Sequence, residues 1–109
     1  MIKVTMLRQK GRTTGFTCGG HAGYAEEGSD IVCSAVSALT TAVVNGLTEV
    51  AGIAAKVSDN GKLLSCSLPE CLSERQCQDA QLLLDTFEMA LNGIRRDYGK
   101  YLKIVFREV

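Results

Sequence analysis

From Ile31 to Thr48 the chain runs for eighteen residues without a charge. An uncharged run of that length either crosses a bilayer or lies in a protein core. Ser34, Ser37, Thr40, Thr41, Asn45 and Thr48 interrupt it, which favours a buried helix over a membrane span. Ile31, Val32, Ala35, Val36, Leu39, Val43, Val44, Leu47 and Val50 make it apolar nearly all round, so a central helix is expected. Ser29 or Asp30 is expected to cap its start, because a short oxygen-bearing side chain satisfies free N–H groups of the first turn. Gly46 is expected to weaken it and Gly52 to stop it.

The remaining elements arrange themselves around that helix. Ile2 to Arg8 alternates as a strand, with Ile2, Val4 and Met6 on one side. Gln9 to Thr13 is a polar turn containing Gly11. Thr14 to Ala22 reads as a second strand, paired with the first as a hairpin. Phe16, Cys18 and Ala22 share one of its faces; Gly15, Thr17, Gly19 and His21 share the other. Ala54 to Ser58 is a short strand, and Asn60-Gly61 predicts a tight turn with positive φ at both positions. Lys62 to Leu68 is its partner, ended by Pro69. Ser73-Glu74-Arg75-Gln76 matches a capping box. Cys77, Ala80, Leu84, Phe87, Leu91, Ile94 and Tyr98 then recur at helical spacing, and Gly99 ends that helix. Leu102, Ile104 and Phe106 mark a last strand. The order β-β-α-β-β-α-β defines an α+β fold over residues 1–109, with two helices packed on a mostly antiparallel sheet.

A length of 109 residues accommodates one domain. Twelve basic residues balance twelve acidic ones, which argues against non-specific nucleic-acid binding. With 46% apolar and 22% charged residues, the chain is too apolar for disorder. Met1 to Thr5 lacks the basic-then-apolar pattern of an export signal, so the cytoplasm is the expected compartment and no membrane partner is expected. Five cysteines, an odd number, argue for reduced thiols rather than a disulfide framework.

The chemistry concentrates at the two ends of one loop. His21 is the single histidine, just before the glycine-bounded stretch Gly23 to Gly28. Cys33 follows the stretch. With Asp30 as the cap, Cys33 falls at the third helical position, where N–H groups and the helix dipole favour a thiolate. An imidazole beside it can take the thiol proton and stay as imidazolium, which generates a nucleophile near neutral pH. The plain alternatives are a satisfied polar His and a small packed Cys. Asp30 could orient His21 or serve only as a cap. Ser37, one turn after Cys33, could donate to the thiolate or bond back to the helix carbonyls.

Gly20-His21-Ala22, a short loop, and then Gly28-Ser29-Asp30-Ile31-Val32-Cys33-Ser34-Ala35-Val36-Ser37 resemble the signature of the bacterial ribosomal-processing cysteine protease family, Prp. The likeness covers essentially the whole chain; Ser34 stands where alanine is the more usual residue. The resemblance implies an endopeptidase that removes an N-terminal extension from the large-subunit ribosomal protein L-twenty-seven, cutting after an aromatic residue. It implies His21 as general base, Cys33 as nucleophile, Asp30 as a possible third member, and a homodimer. The segment from Gly23 to Ser29 is expected either to close over the peptide, with Gly23, Tyr24 and Ser37 as substrate contacts, or to be a plain surface loop with Glu26 and Glu27 solvated. The N–H of Cys33 or its neighbours is expected to hold the oxyanion. No cofactor and no direct nucleic-acid partner are expected.

Other constellations are weaker. Cys66, Cys71 and Cys77 lack the close pairs of a zinc site. Cys77 lies on the second helix's apolar stripe, and Cys71 falls in a loop. Gly19-Gly20 lacks the Lys and Ser/Thr of a phosphate loop. The alternative readings are a non-catalytic ribosome-associated module gripping a peptide or rRNA, marked by a basic face, and a thiol redox or metal protein, which a Cys-x-x-Cys pair would have supported.

Overall fold

The structure is a computed structural model that describes residues 1–20 and 31–109 in full, and the backbone alone of residues 27–30. Strands β1 (Ile2–Gln9) and β2 (Arg12–Gly19) open the chain, followed by helix α1 (Glu27–Asn45) and a π-helical turn, Gly46–Val50. Strands β3 (Lys56–Asp59) and β4 (Leu63–Ser67), helix α2 (Glu74–Tyr98) and strand β5 (Leu102–Glu108) complete it. The sheet order is β3-β4-β2-β1-β5. β5 runs parallel to β1, and the other three pairings are antiparallel. Both helices lie on one side of this sheet, as the α+β reading expects.

The β1–β2 hairpin turns on Lys10 and Gly11, with φ of 52° and 78°. Positive φ at both positions matches the right-handed twist of the flanking strands. The β1–β2 register slips between Leu7 and Arg8, which leaves Thr14 as the extra residue of a bulge. Its backbone is not wasted: the Thr14 carbonyl accepts the Leu68 N–H at 2.9 Å. Thr13, beside the bulge, is paired from α2. Its N–H donates to Gln81 Oε1 at 3.0 Å, and its carbonyl accepts from Gln81 Nε2 at 2.8 Å.

Even-numbered β1 residues Ile2, Val4 and Met6 are buried under the helices, as alternation requires. Phe16, Val32, Leu47, Ile53, Leu84, Leu91 and Leu102 complete the centre of the core. The Phe16 and Phe87 rings meet at 4.7 Å between centroids, linking β2 to α2. The capping box at α2 is present in both halves: Gln76 N–H donates to Ser73 Oγ, and Ser73 N–H donates to Gln76 Oε1. Such a cap contributes about 1 kcal/mol.

Several expectations need correction. α1 begins at Glu27, so Ser29 and Asp30 lie inside the helix and neither is its cap. Glu27 is a good helix former, and each added helical residue gains a hydrogen bond, which outweighs a cap's preference. α1 is also not central. Val32, Val36, Val43 and Leu47 are buried, but Ile31 is 56% exposed and Ser34, Ser37, Ala38, Thr41 and Ala42 face outward. A two-layer fold covers each helix on one side only. The stretch Ile31–Val50 is long and apolar enough to cross a membrane by length and composition, and here a third of it is buried in the fold.

At Gly46 the close approach of Leu83 explains the glycine. A Cβ there would lie 3.2 Å from Leu83 Cδ2. The helix widens at the same point, the Ala51 N–H reaching back to the Gly46 carbonyl at 2.8 Å, and Gly52, with φ of +66°, stops it as expected. In the second hairpin only Gly61 has positive φ. Asn60 stays in ordinary space because its side chain spans the turn, accepting from the N–H groups of Lys62 and Leu63. Gly99 ends α2 without turning left-handed, at φ of −60°. The outermost stripe positions, Tyr98 and Phe106, are exposed.

Candidate active site

A cleft of about 320 Å³ opens between the start of α1 and one end of the sheet. Cys33, Val36, Ser37, Thr40 and Thr41 line it from α1. These positions follow the three- and four-residue steps that share one helical face. Opposite them stand Cys18, Gly19 and Gly20 from the end of β2. The β3–β4 hairpin supplies the third wall through Asp59, Lys62, Leu63 and Leu64. The cleft thus has apolar surface from Ile2, Val36 and Leu64, with charged groups at the hairpin tip.

Glycine lets these walls meet. Gly19 is paired with Leu63, and a Cβ on Gly19 would lie 2.8 Å from Leu63 Cδ1 and 3.0 Å from the Lys62 carbonyl. Gly20, at φ of +91°, packs against the Met1 carbonyl, where a Cβ would clash. Its left-handed backbone departs from the alternation of β2. The strand expected from Thr14 to Ala22 is, within the described residues, Arg12–Gly19; His21 and Ala22 lie outside them.

Cys33 is a free, half-buried thiol at this cleft. It is the seventh residue of α1 counted from Glu27, not the third. Its N–H lies past the four amides that lack helical partners. Of the amides expected to hold an oxyanion, that of Cys33 itself is ruled out by its place in the helix, and the unpaired ones belong to the first turn of α1. Side chains on a helix lean toward its N-terminus, so the Cys33 side chain inclines toward that turn.

Cys18 is a neighbour to which the sequence analysis gave no role at the site. Burial raises its pKa above the ordinary value of 9.0, and a charge on Cys33 raises it further. The Thr40 hydroxyl acts the other way and favours the anion. That hydroxyl is enclosed and has no partner in hydrogen-bond geometry among the described residues, so its contact with the Cys18 thiol is a weak one. Burial also raises Cys66, which sits in β4 at 1% exposure. Cys71 is exposed and Cys77 half-buried on α2. No group of three or more metal-ligating side chains occurs among the described residues.

Ser37 is brought to the cleft with Cys33, as its spacing predicts. His21, Gly23 and Tyr24 lie outside the described residues, as does the side chain of Asp30. Gly20, the residue before His21, lines the same cleft as Cys33. Of the segment expected to close over a peptide, residues 27–29 form the first turn of α1. Cys18, Thr40 and the β3–β4 hairpin were missed as cleft walls. Only the strand register brings that hairpin beside β2, and no local motif announces it.

Two helices laid over a small mixed sheet in this arrangement recur in solved structures. One is a Prp from Staphylococcus aureus described as a ribosomal processing protease in complex with a covalently linked product peptide. It superposes with a TM-score of 0.81 at 26% identity, covering 98% of this chain and 100% of that one. SMU.848 from Streptococcus mutans superposes with a TM-score of 0.85 at 27% identity, covering 100% of this chain and 96% of that one. In sequence, the ribosomal processing cysteine protease Prp of Bacillus subtilis is 33% identical over 107 residues, 95% of this chain and 96% of that protein. Residues 1–103 match the family described as Cysteine protease Prp, and the chain belongs to that family. It is a cysteine protease of the ribosomal-processing type.

Proposed function

We propose that this protease removes the N-terminal extension of the large-subunit ribosomal protein L-twenty-seven, cutting after an aromatic residue, with Cys33 as nucleophile and His21 as general base. The observation that carries the reading is Cys33 itself: a free thiol on the wall of a cleft whose opposite wall ends at Gly20, directly before the single histidine in sequence. The apolar cleft surface suits an aromatic side chain.

In the first stage the Cys33 thiol gives its proton to His21, and the sulfur attacks the scissile carbonyl carbon. The resulting oxyanion takes hydrogen bonds from unpaired amides at the start of α1. As the C–N bond breaks, the His21 imidazolium protonates the departing amine, leaving a thioester on Cys33. In the second stage His21 takes a proton from water, the hydroxyl adds to the thioester carbon, and the carboxylate product leaves as the thiol is restored. Asp30 orients His21, and Gly23, Tyr24 and Ser37 contact the peptide. The enzyme acts in the cytoplasm as a homodimer.

The test is cleavage, read by mass spectrometry, of a peptide copying the ribosomal extension. Cys33→Ala, Cys33→Ser and His21→Ala are expected to abolish it while circular dichroism stays native. Full activity in Cys33→Ala removes the assignment of the nucleophile. Sedimentation of the native chain tests the dimer.

A further inference from the structure

The sheet face turned away from the helices carries a charge pattern that the neutral total conceals. Because Ile2, Val4 and Met6 point under the helices, Lys3, Thr5 and Leu7 point to the other side. The strand register then builds rows across that open face. Thr5, Thr17, Ser65 and Ser58 stand directly opposite one another on four successive strands, about 4.8 Å per step. They form one continuous row of hydroxyls. Lys3 and Lys103 are paired on one side of that row. Arg107 and Lys56 stand at the two ends of the row on its other side. All four cations are exposed, and none is ion-paired with a described carboxylate.

No acidic residue of any strand belongs to this face. Asp59 and Glu108 are the two carboxylates within strands. Their partners Leu64 and Arg8 put both on the helix side, where Arg8 meets Glu88 of α2. Lys3 directly opposite Lys103 is unfavourable for the isolated chain, and an anionic partner would reverse the sign. No strand position on this face is aromatic, so it offers no platform for stacked bases. Hydroxyls and cations on a flat surface are the groups that contact phosphate oxygens.

We propose that this open sheet face docks the protease on the phosphate backbone of structured RNA. A second copy fits it poorly, because a two-fold axis would set its cations against cations. The choice of RNA among polyanions rests on the ribosomal substrate proposed above. Net neutrality is no obstacle, since binding responds to the local field rather than the sum.

The experiment is fluorescence anisotropy of the full-length chain with a labelled RNA duplex of about 16 base pairs, a length that spans two successive minor grooves, at several salt concentrations. The duplex is expected to bind, and to weaken as salt rises. Lys3→Gln with Lys103→Gln, and separately Lys3→Glu with Lys103→Glu, should each weaken binding about tenfold or more and reduce the salt slope by about two. Peptide cleavage by these variants should equal that of the unmodified chain. Absence of duplex binding at low salt overturns the proposal, as does unchanged affinity in both variants. Tighter binding to anionic phosphatidylserine vesicles than to the duplex also overturns it. So does a change of oligomeric state in the variants without RNA binding, which would assign the face to a second copy. Cys33→Ala should bind the duplex normally, so failure of the protease mechanism and failure of the docking face read out separately.

Discussion

Cys18 on β2 lies close enough to Cys33 on α1 that a thiolate on Cys33 pushes ionisation of Cys18 to higher pH. Two thiols therefore share one cleft, and burial, the larger effect, holds Cys18 protonated. Iodoacetamide near neutral pH is expected to label Cys33 faster than Cys18 or Cys77, measured by peptide mapping. Equal rates at the three positions would refute an activated Cys33.

Alkaline stability should report the buried thiols. Cys18 and Cys66 both have folded-state pKa values raised above 9.0 by burial. Below pH 9.0 each is neutral in the folded and unfolded chain, and the contribution is fully present. As pH rises past that point the unfolded chain loses these protons first, so stability falls until the raised folded values are reached. Urea titrations at about pH 8 and about pH 10 should show this loss, and Cys18→Ala or Cys66→Ala should each make it smaller. A pH dependence identical in all three proteins would contradict the assignment.

Gln81 holds the backbone of Thr13 through both its amide atoms. Thr13 is 2% exposed, so water cannot replace the lost partners. Gln81→Leu should destabilise by about 2–4 kcal/mol, from two buried backbone groups left unpaired. Gln81→Glu keeps the acceptor for the Thr13 N–H and loses the donor, so it should fall between. Chemical denaturation midpoints check the order.

Two glycines of β2 should respond differently to alanine. A Cβ on Gly15 would meet the Cys66 backbone carbonyl at 2.4 Å, whereas on Gly19 the first contact is the Leu63 side-chain tip at 2.8 Å. Backbone cannot yield as a side chain can, so Gly15→Ala should cost more stability than Gly19→Ala. Gly19→Ala should instead displace Leu63 at the cleft wall and change cleavage of the extension peptide. Retained stability with unaltered kcat/KM would show that the hairpin tip does not shape the site.

The element order could be read from residues because each element announces itself locally. The Ser73–Gln76 capping box, the Leu84–Leu91 stripe and the Ile2–Met6 alternation all lie within a few turns or residues of one another. Boundaries were less legible. α1 starts at Glu27 rather than after Asp30, since a cap and one more helical turn differ by little free energy. Cys33 stood out because of its spacing from His21. Cys18 did not, because nothing near it in sequence shows that a thiol fifteen positions later approaches it.

By itself the sequence determined which segments are strand or helix, which side of each is apolar, and which thiol lies in the His-loop-Cys block. Those properties follow from side-chain spacing along a single segment. The tertiary structure alone decided that Cys18 joins Cys33, that the β3–β4 hairpin walls the cleft, and that Lys3 stands beside Lys103 on a face without carboxylates. Each of these is a pairing between distant segments, set by strand register and helix placement. A slip of one residue in any strand would send the same side chains to the opposite face.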